Sequence, residues 1–514
     1  SLLMPFTDAW AHLAATVLPR YVVNSIWLML GVGLGVVLLG VPTAWLVTMT
    51  RFPGVRIFEW ALILPLASPA YVIGYTYTGL LDYAGPVQSA LRAAFGWSAG
   101  DYWFPDMRSL GGAIIVLTLV FYPYVYLLAR AAFLNQSVCA LEVSRTLGRT
   151  AWQSFTHVAL PLARPAMAAG VALALMETLA DYGVGSYFGL NTFTTGIYKA
   201  WLSMDDRIAA AQLATVLLAV VALLLWFEHR AQRRLRFATG RGGHGGGQEA
   251  RPVPLAGRHR WLAWTVCTVP VLLGFVLPVL VLLRLLWAEM HYSEFGMPWD
   301  RFAQWSWASF RLAAIAAALA VLLSVALAFA MRTSPRPGLR FAVRVVSLGY
   351  AVPGAVIAVG ILLPLGWLQS VWPDSGLTAL VTGTAFGLLY AYLVRFSAVA
   401  LQSVESGYAR IPVTLDESAR MLGTPRWKLL GTVHVPLLRR SALAAGLLVF
   451  VDVMKELPAT YVLRPFNSDT LAVVANQLAR DERLGEAALP SLAIVLVGLL
   501  PVVLLSRAMR AQRG

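Results

Sequence analysis

Apolar runs of about 20 residues, the length needed to cross a hydrocarbon core, recur along the chain between short polar gaps. Five lie near 22–48, 57–81, 109–133, 162–182 and 208–228. Six more lie near 261–288, 307–331, 341–364, 377–401, 441–460 and 488–506. None shows the ten-residue alternating segments of a membrane β-barrel, so each run predicts a helix. The expected fold is an all-α polytopic membrane protein. The run near 261–288 has no counterpart among the first five, and residues 1–20 resemble the external segment that follows it. The pattern therefore predicts two tandem homologous six-helix halves, with the first span of the first half standing upstream of Ser1. The expected divisions are a first half at 1–229, a cytoplasmic linker at 230–260 and a second half at 261–514. The linker reading rests on the Arg- and Gly-rich stretch RRLRFATGRGGHGGGQEARP, the composition of a flexible basic tether.

Two polar gaps carry a repeat. EVSRTLGRTAWQSFTHVALP at Glu142–Pro161 and ESARMLGTPRWKLLGTVHVP at Glu417–Pro436 share Glu, Arg, Leu, Gly, Trp, Val and Pro at a constant separation of 275 residues. That correspondence points to tandem duplication, with each membrane half presenting one such element. The local grammar of each copy is two short helices with a break. Gly148 and Gly423 suit helix ends, and Thr150 to Gln153 reads as a capping box. In the second copy Thr414 to Glu417 reads as another box, and Thr424-Pro425 as an N-cap followed by proline in the first turn.

Composition and charge then fix the environment and the topology. The chain is 59% hydrophobic and 13% charged, with a mean hydropathy of +0.69, against roughly 25% charged residues in a soluble domain. The net charge of +15 falls mainly in alternate gaps, at 49–56, 134–161, 229–260, 332–340, 402–440 and the C-terminus. The other gaps collect acids such as Asp82, Asp101, Asp106, Asp205 and Asp206. This is the positive-inside pattern rather than a nucleic-acid surface, and it places the basic gaps in the cytoplasm. Six spans separate the two repeats, so both copies face the same, cytoplasmic side. Cys139 and Cys267 imply no disulfide framework.

The span after each repeat ends in charge: Glu177 and Asp181 in METLADYG, Lys455 and Glu456 in DVMKELPAT. Ionisable groups at membrane depth are costly and face a polar cavity or one another. Glu177 and Asp181 are four apart, which predicts one helix face. Gly183 and Pro458 would loosen the helix where protein or water can meet the freed backbone. Lys455 is expected either to pair with Glu177 or Glu456, or to meet substrate directly. Further out, Asp206-Arg207 and Glu482-Arg483 stand at matching positions before the last span of each half.

The repeated element resembles the EAA motif of ABC importer permeases: Glu142 or Glu417, a Gly six residues on (Gly148, Gly423), then Val158 or Val433, and Leu160-Pro161 or Val435-Pro436. In the first copy Val143 stands where that family has a small residue. The resemblance implies a type I importer permease fold in which Glu142, Arg145, Gly148, Glu417, Arg420 and Gly423 form coupling helices docked on an ATPase. The chain has no G-x-x-x-x-G-K-[ST] loop, so a separate ATPase homodimer would carry ATP and Mg, and the chain itself would be a transport subunit without a cofactor or catalytic site. METLADYG with TFTTGIYKAWL, and KELPATYVLRPF with DTLAVVANQLARDERL, resemble fused ferric-iron permeases of the FbpB type; thiamine and aminoethylphosphonate permeases share the architecture. The resemblance implies a bacterial inner-membrane location and cargo delivery by a periplasmic binding protein that docks near Asp206, Arg207, Glu482 and Arg483. Fe³⁺ is a hard cation that prefers carboxylate and phenolate oxygen. Glu177, Asp181, Tyr182, Tyr187, Lys455 and Glu456 are the candidate path residues, and Glu177 and Asp181 the candidate transient ligands. An ion-coupled secondary transporter is the alternative of a different class, because repeats and buried carboxylates fit both.

Overall fold

The computed structural model describes residues 15–98, 100–134, 146, 148, 150–239, 252–292, 296–334 and 336–511. Among them, nine helices are long and apolar enough to cross a membrane, and a bent pair makes a tenth. The eleventh expected run forms the helix Val435–Lys455; Arg439, Arg440, Asp452 and Lys455 lower its mean hydropathy. The architecture is all-α. Its one strand ladder among the described residues is a two-residue parallel pair, Thr50–Arg51 with Val253–Pro254. That pair ties the chain just before the second half to the gap after the first long helix.

Two expected runs are not single spans. The run near 57–81 is Val55–Ala67 followed by Ala70–Phe95, bent by 90°. The break falls at Ser68-Pro69, where Ser68 is extended (φ −100°, ψ 128°). In the second half, Val352 before Pro353 is extended in the same way (φ −77°, ψ 122°), between Pro337–Leu348 and Gly354–Val371. Proline disfavours the helical region for its predecessor and has no N–H to continue the ladder, so both turns are written locally.

Each repeated element also ends in a wide turn. Phe155–Ala159 and Leu430–His434 are π-helical, at the same offset, and lead into Leu160–Ala180 and Val435–Lys455. Pro161 and Pro436 follow directly. Each lacks the N–H that would bond four residues back, and its ring crowds that carbonyl; widening the turn relieves both.

The halves interlock. Leu484–Ala511 packs on the Leu64–Ala67 turn of the first half, and Arg207–Thr239 packs on Gly354–Val371 of the second. The first contact is backbone to backbone: a Cβ on Gly498 would stand 2.0 Å from the Ala67 carbonyl oxygen. Arg258–Tyr292, the helix without a counterpart, lies against both Leu484–Ala511 and the first half. This packing places the charged ends of Leu160–Ala180 and Val435–Lys455 beside each other.

Candidate functional site

A cavity of about 140 Å³ lies between the halves, lined by Glu177, Asp181 and Tyr124 from the first and by Tyr350, Arg395, Asp452, Lys455 and Glu456 from the second. The 275-residue repeat offset relates Glu177 to Asp452 and Asp181 to Glu456, so the acids form two pseudo-equivalent pairs.

Each pair spans a helix break. Leu160–Ala180 stops before Asp181, which is extended (φ −70°, ψ 120°). Glu177 lies in the last turn of that helix and Asp181 directly after it, and both reach the cavity. Asp181 instead accepts the Val184 N–H at 2.8 Å, at the start of the short helix Gly183–Tyr187. Glu456 repeats the device: it is extended (φ −68°, ψ 122°) and accepts N–H bonds from Ala459 at 2.8 Å and Thr460 at 2.9 Å, together with the Thr460 hydroxyl. A carboxylate that collects these donors satisfies backbone freed by the break, in a medium where water does not compete.

The halves differ in counter-charge. Arg395 donates to Glu456 at 3.3 Å and is itself buried, whereas Asp181 has no ion pair among the described residues. Lys455 pairs with Asp452 at 3.5 Å, one turn back on its own helix, rather than with Glu177 or Glu456, and its ammonium also faces the Leu66 carbonyl of the first half at 3.4 Å. Tyr350 of the second half lines the cavity together with Glu177 of the first. Gly354 makes the Arg395–Glu456 contact possible, because a Cβ there would meet the Glu456 carboxylate at 2.8 Å and the Arg395 guanidinium at 2.9 Å. Sequence reasoning missed Arg395 and Asp452. An arginine inside the apolar run at 377–401 was itself a signal, and the repeat offset from Glu177 leads directly to Asp452.

Tyr182 and Tyr187 line neither this cavity nor one another. Tyr182 packs at a tilt against Tyr198 and Tyr461, with ring centroids 4.0 and 5.6 Å away, and Tyr187 lies edge-on to Tyr75. Tyr198 donates to the Pro458 carbonyl at 2.5 Å, and Asn476 donates to the Tyr75 hydroxyl at 2.6 Å. These contacts seam the halves together.

At the outer ends, Asp205 and Glu482 both take positive φ (49° and 61°) just before the last helix of each half. The structural correspondence is thus Asp205 with Glu482, one residue away from the match of Asp206 with Glu482 read in sequence. Asp206 accepts the Ala209 N–H at 2.8 Å, and Arg207 lies within 4.0 Å of Asp205. Glu482 crosses to Arg108 of the first half at 3.4 Å, while Arg483 pairs locally with Glu486 at 2.6 Å.

On the opposite face, Glu142 and Arg145 lie outside the described residues. Gly148 and Gly423 share a left-handed backbone (φ 75° and 74°), a conformation glycine adopts without Cβ strain. Thr150 and Gln153 exchange both capping-box bonds, at 3.0 and 3.2 Å. The second copy differs from its local grammar. Its helix runs Val413–Met421, which places Thr414 inside the helix rather than at its cap, and Arg426–Leu429 begins after Pro425, with no side-chain bond from the cap position. Tertiary demand overrides the box, because Asp416 turns inward. Arg332 donates to it at 2.6 Å and His434 Nε2 meets it at 2.9 Å. Burial pushes the Asp416 carboxyl up, but these partners outweigh it and hold the group below its ordinary value of 3.8. Glu417 is exposed, and beside it Met421, Leu422 and Trp427 are 90%, 84% and 76% exposed.

This duplicated arrangement matches known proteins over most of its length. The chain is 25% identical to the Fe(3+)-transport system permease protein FbpB 2 of Haemophilus influenzae, over 94% of this chain and 89% of that protein. It is 24% identical to the ferric transport system permease protein FbpB of Actinobacillus pleuropneumoniae, over 90% and 67%. The molybdenum transport system permease protein ModB of Haemophilus influenzae matches 41% of this chain, at 28% identity over 96% of its own length. Two regions, 13–237 and 320–513, match the binding-protein-dependent transport system inner membrane component family, and the chain belongs to that family.

Proposed function

We propose that this chain is the transmembrane subunit of an ATP-driven importer that carries ferric iron from a periplasmic binding protein across the bacterial inner membrane. The observation that carries the reading is the cavity between the halves, where Glu177, Asp181, Asp452 and Glu456 outnumber Arg395 and Lys455. Four acids against two bases favour a cationic cargo, and carboxylates suit a hard one. Glu177 and Asp181, which have no ion pair among the described residues, are the proposed transient contacts; Lys455 and Glu456 complete the path. The names of the similar iron permeases support the same cargo.

Coupling is assigned to the repeated element. Glu142, Arg145, Gly148, Glu417, Arg420 and Gly423 would dock on a separate ATPase homodimer carrying ATP and Mg. The apolar surface around Glu417, with Met421, Leu422 and Trp427 in the open, is what a docking helix presents before its partner covers it. ATP binding would draw the two elements together and rock the halves about the cavity. On the other face, Asp206, Arg207, Glu482 and Arg483 would meet the binding protein. The Arg108–Glu482 contact between halves would then open as the binding protein engages.

The test is reconstitution with ATPase and binding protein in vesicles, following uptake of labelled ferric iron. Uptake should require ATP and survive collapse of the proton gradient. Uptake that persists without ATP and fails with the gradient would instead establish an ion-coupled carrier.

A further inference from the structure

A second buried charge cluster lies at the cytoplasmic foot of the second half. There Arg332, at the end of Trp299–Thr333, donates to Asp416 at 2.6 Å, to the Tyr408 carbonyl at 3.1 Å and to the Ile411 and Pro412 carbonyls at 3.0 Å. His434 contacts Asp416 at 2.9 Å through one ring nitrogen and the Tyr408 hydroxyl at 3.2 Å through the other. The Arg332 guanidinium also covers the Tyr408 ring at 5.3 Å. Asp416 and His434 are almost wholly buried.

Two membrane helices, Trp299–Thr333 and Val435–Lys455 through its π-turn, thus meet on one carboxylate, and Tyr408 at the end of a third, Phe386–Tyr408, braces both side chains that reach it. That carboxylate belongs to Val413–Met421, whose outer face carries Glu417. We infer that Asp416 is the positioning residue that makes the second docking element move as one body with those helices. A loose docking helix would bind an ATPase and follow it without pulling on the membrane part. A helix tied through one carboxylate to Arg332 and His434, with Tyr408 bracing both, transmits the displacement, since a charge-assisted bond such as that to Arg332 is shorter and stronger than a neutral one.

The matching positions of the first half carry other residues. Aligning Pro69 on Pro353 puts Thr48 where Arg332 stands, and the repeat offset puts Leu141 and Ala159 where Asp416 and His434 stand. The inference rests on the docking reading above, but predicts a separable defect: docking and hydrolysis persist while transport per ATP falls.

The test uses the full complex of permease, ATPase and binding protein in vesicles. Cross-linking of Trp427→Cys to the ATPase checks docking first; its absence in the otherwise native chain sinks the docking reading itself. With docking present, Asp416→Asn should keep the ATPase bound and hydrolysing, yet lower iron transported per ATP by on the order of five-fold or more. Hydrogen exchange in Val413–Met421 should rise in parallel. An unchanged ratio overturns the inference while leaving docking intact. If Asp416→Asn sheds the ATPase altogether, Asp416→Glu decides: recovery of docking and ratio supports the charge anchor, and no recovery overturns it.

Discussion

In the first half, Phe155 of the repeated element packs against Trp45 and Phe133, with ring centroids 4.8 and 6.4 Å away. In the second half the same foot is held by Asp416, Arg332 and His434. A parallel contrast appears at the cavity, where Asp181 is satisfied by backbone N–H groups and Glu456 by the same kind of donor plus Arg395. At these two places the first half relies on packing or backbone donors and the second on buried charge. The consequence is a different sensitivity to change. Aromatic packing degrades in proportion to the volume removed, whereas a buried ion pair fails abruptly when one partner goes, because the other is left charged and unpaired.

The largest expected effect tests that asymmetry at the cavity. Glu456→Ala strands Arg395 and frees two backbone donors, and should cost about 3–5 kcal/mol of folding stability. Asp181→Ala strands no cation and should cost well under that. Thermal unfolding of both purified variants in one detergent is the measurement; equal losses would erase the distinction between the halves. Next is Phe155→Ala, expected to cost about 3 kcal/mol by emptying the space between Trp45 and Phe133. The loss should appear as faster proteolysis near the first repeated element, with the second unaffected.

Gly354→Ala is expected to cost about 1–3 kcal/mol, since the added methyl meets both members of the Arg395–Glu456 pair. Combining it with Glu456→Ala should give less than the summed loss, because the group it collides with has been removed. Strict additivity would place the strain elsewhere. The smallest effect is one of pH. Because the Asp416 carboxyl titrates below 3.8 in the folded protein, its contribution is complete above that value and disappears only as the pH falls through the depressed one. Hydrogen-exchange protection of Val413–Met421, corrected for intrinsic rates, should therefore hold from neutral pH down to the carboxylate range. Loss of protection in mildly acidic buffer would contradict the assignment.

Much of this was legible in the chain. The apolar runs, the repeat at Glu142 and Glu417, the absence of a phosphate loop and the charged ends of the two spans are local patterns. So are the prolines at 69, 353, 161 and 436, whose missing N–H dictates breaks and wide turns wherever they fall. The capping box at Thr150 formed as written because both its members are exposed and nothing competes for them. The box at Thr414 did not, because Asp416 two residues on is claimed by Arg332, 84 residues away.

Pairing between distant charges was the part that sequence left open. Lys455 has acids at several spacings, and only the interlocking of the halves leaves it with Asp452 and the Leu66 carbonyl. Arg395 reaches Glu456 where Gly354 of a third helix leaves room for the pair. By itself the sequence determined that the chain crosses the membrane repeatedly, that it is duplicated, and where its helices break, because hydrophobic length and proline stereochemistry act on neighbours in the chain. Which buried charges neutralise one another was decided by tertiary structure alone, because Coulomb energy and desolvation depend on distances that no linear pattern contains.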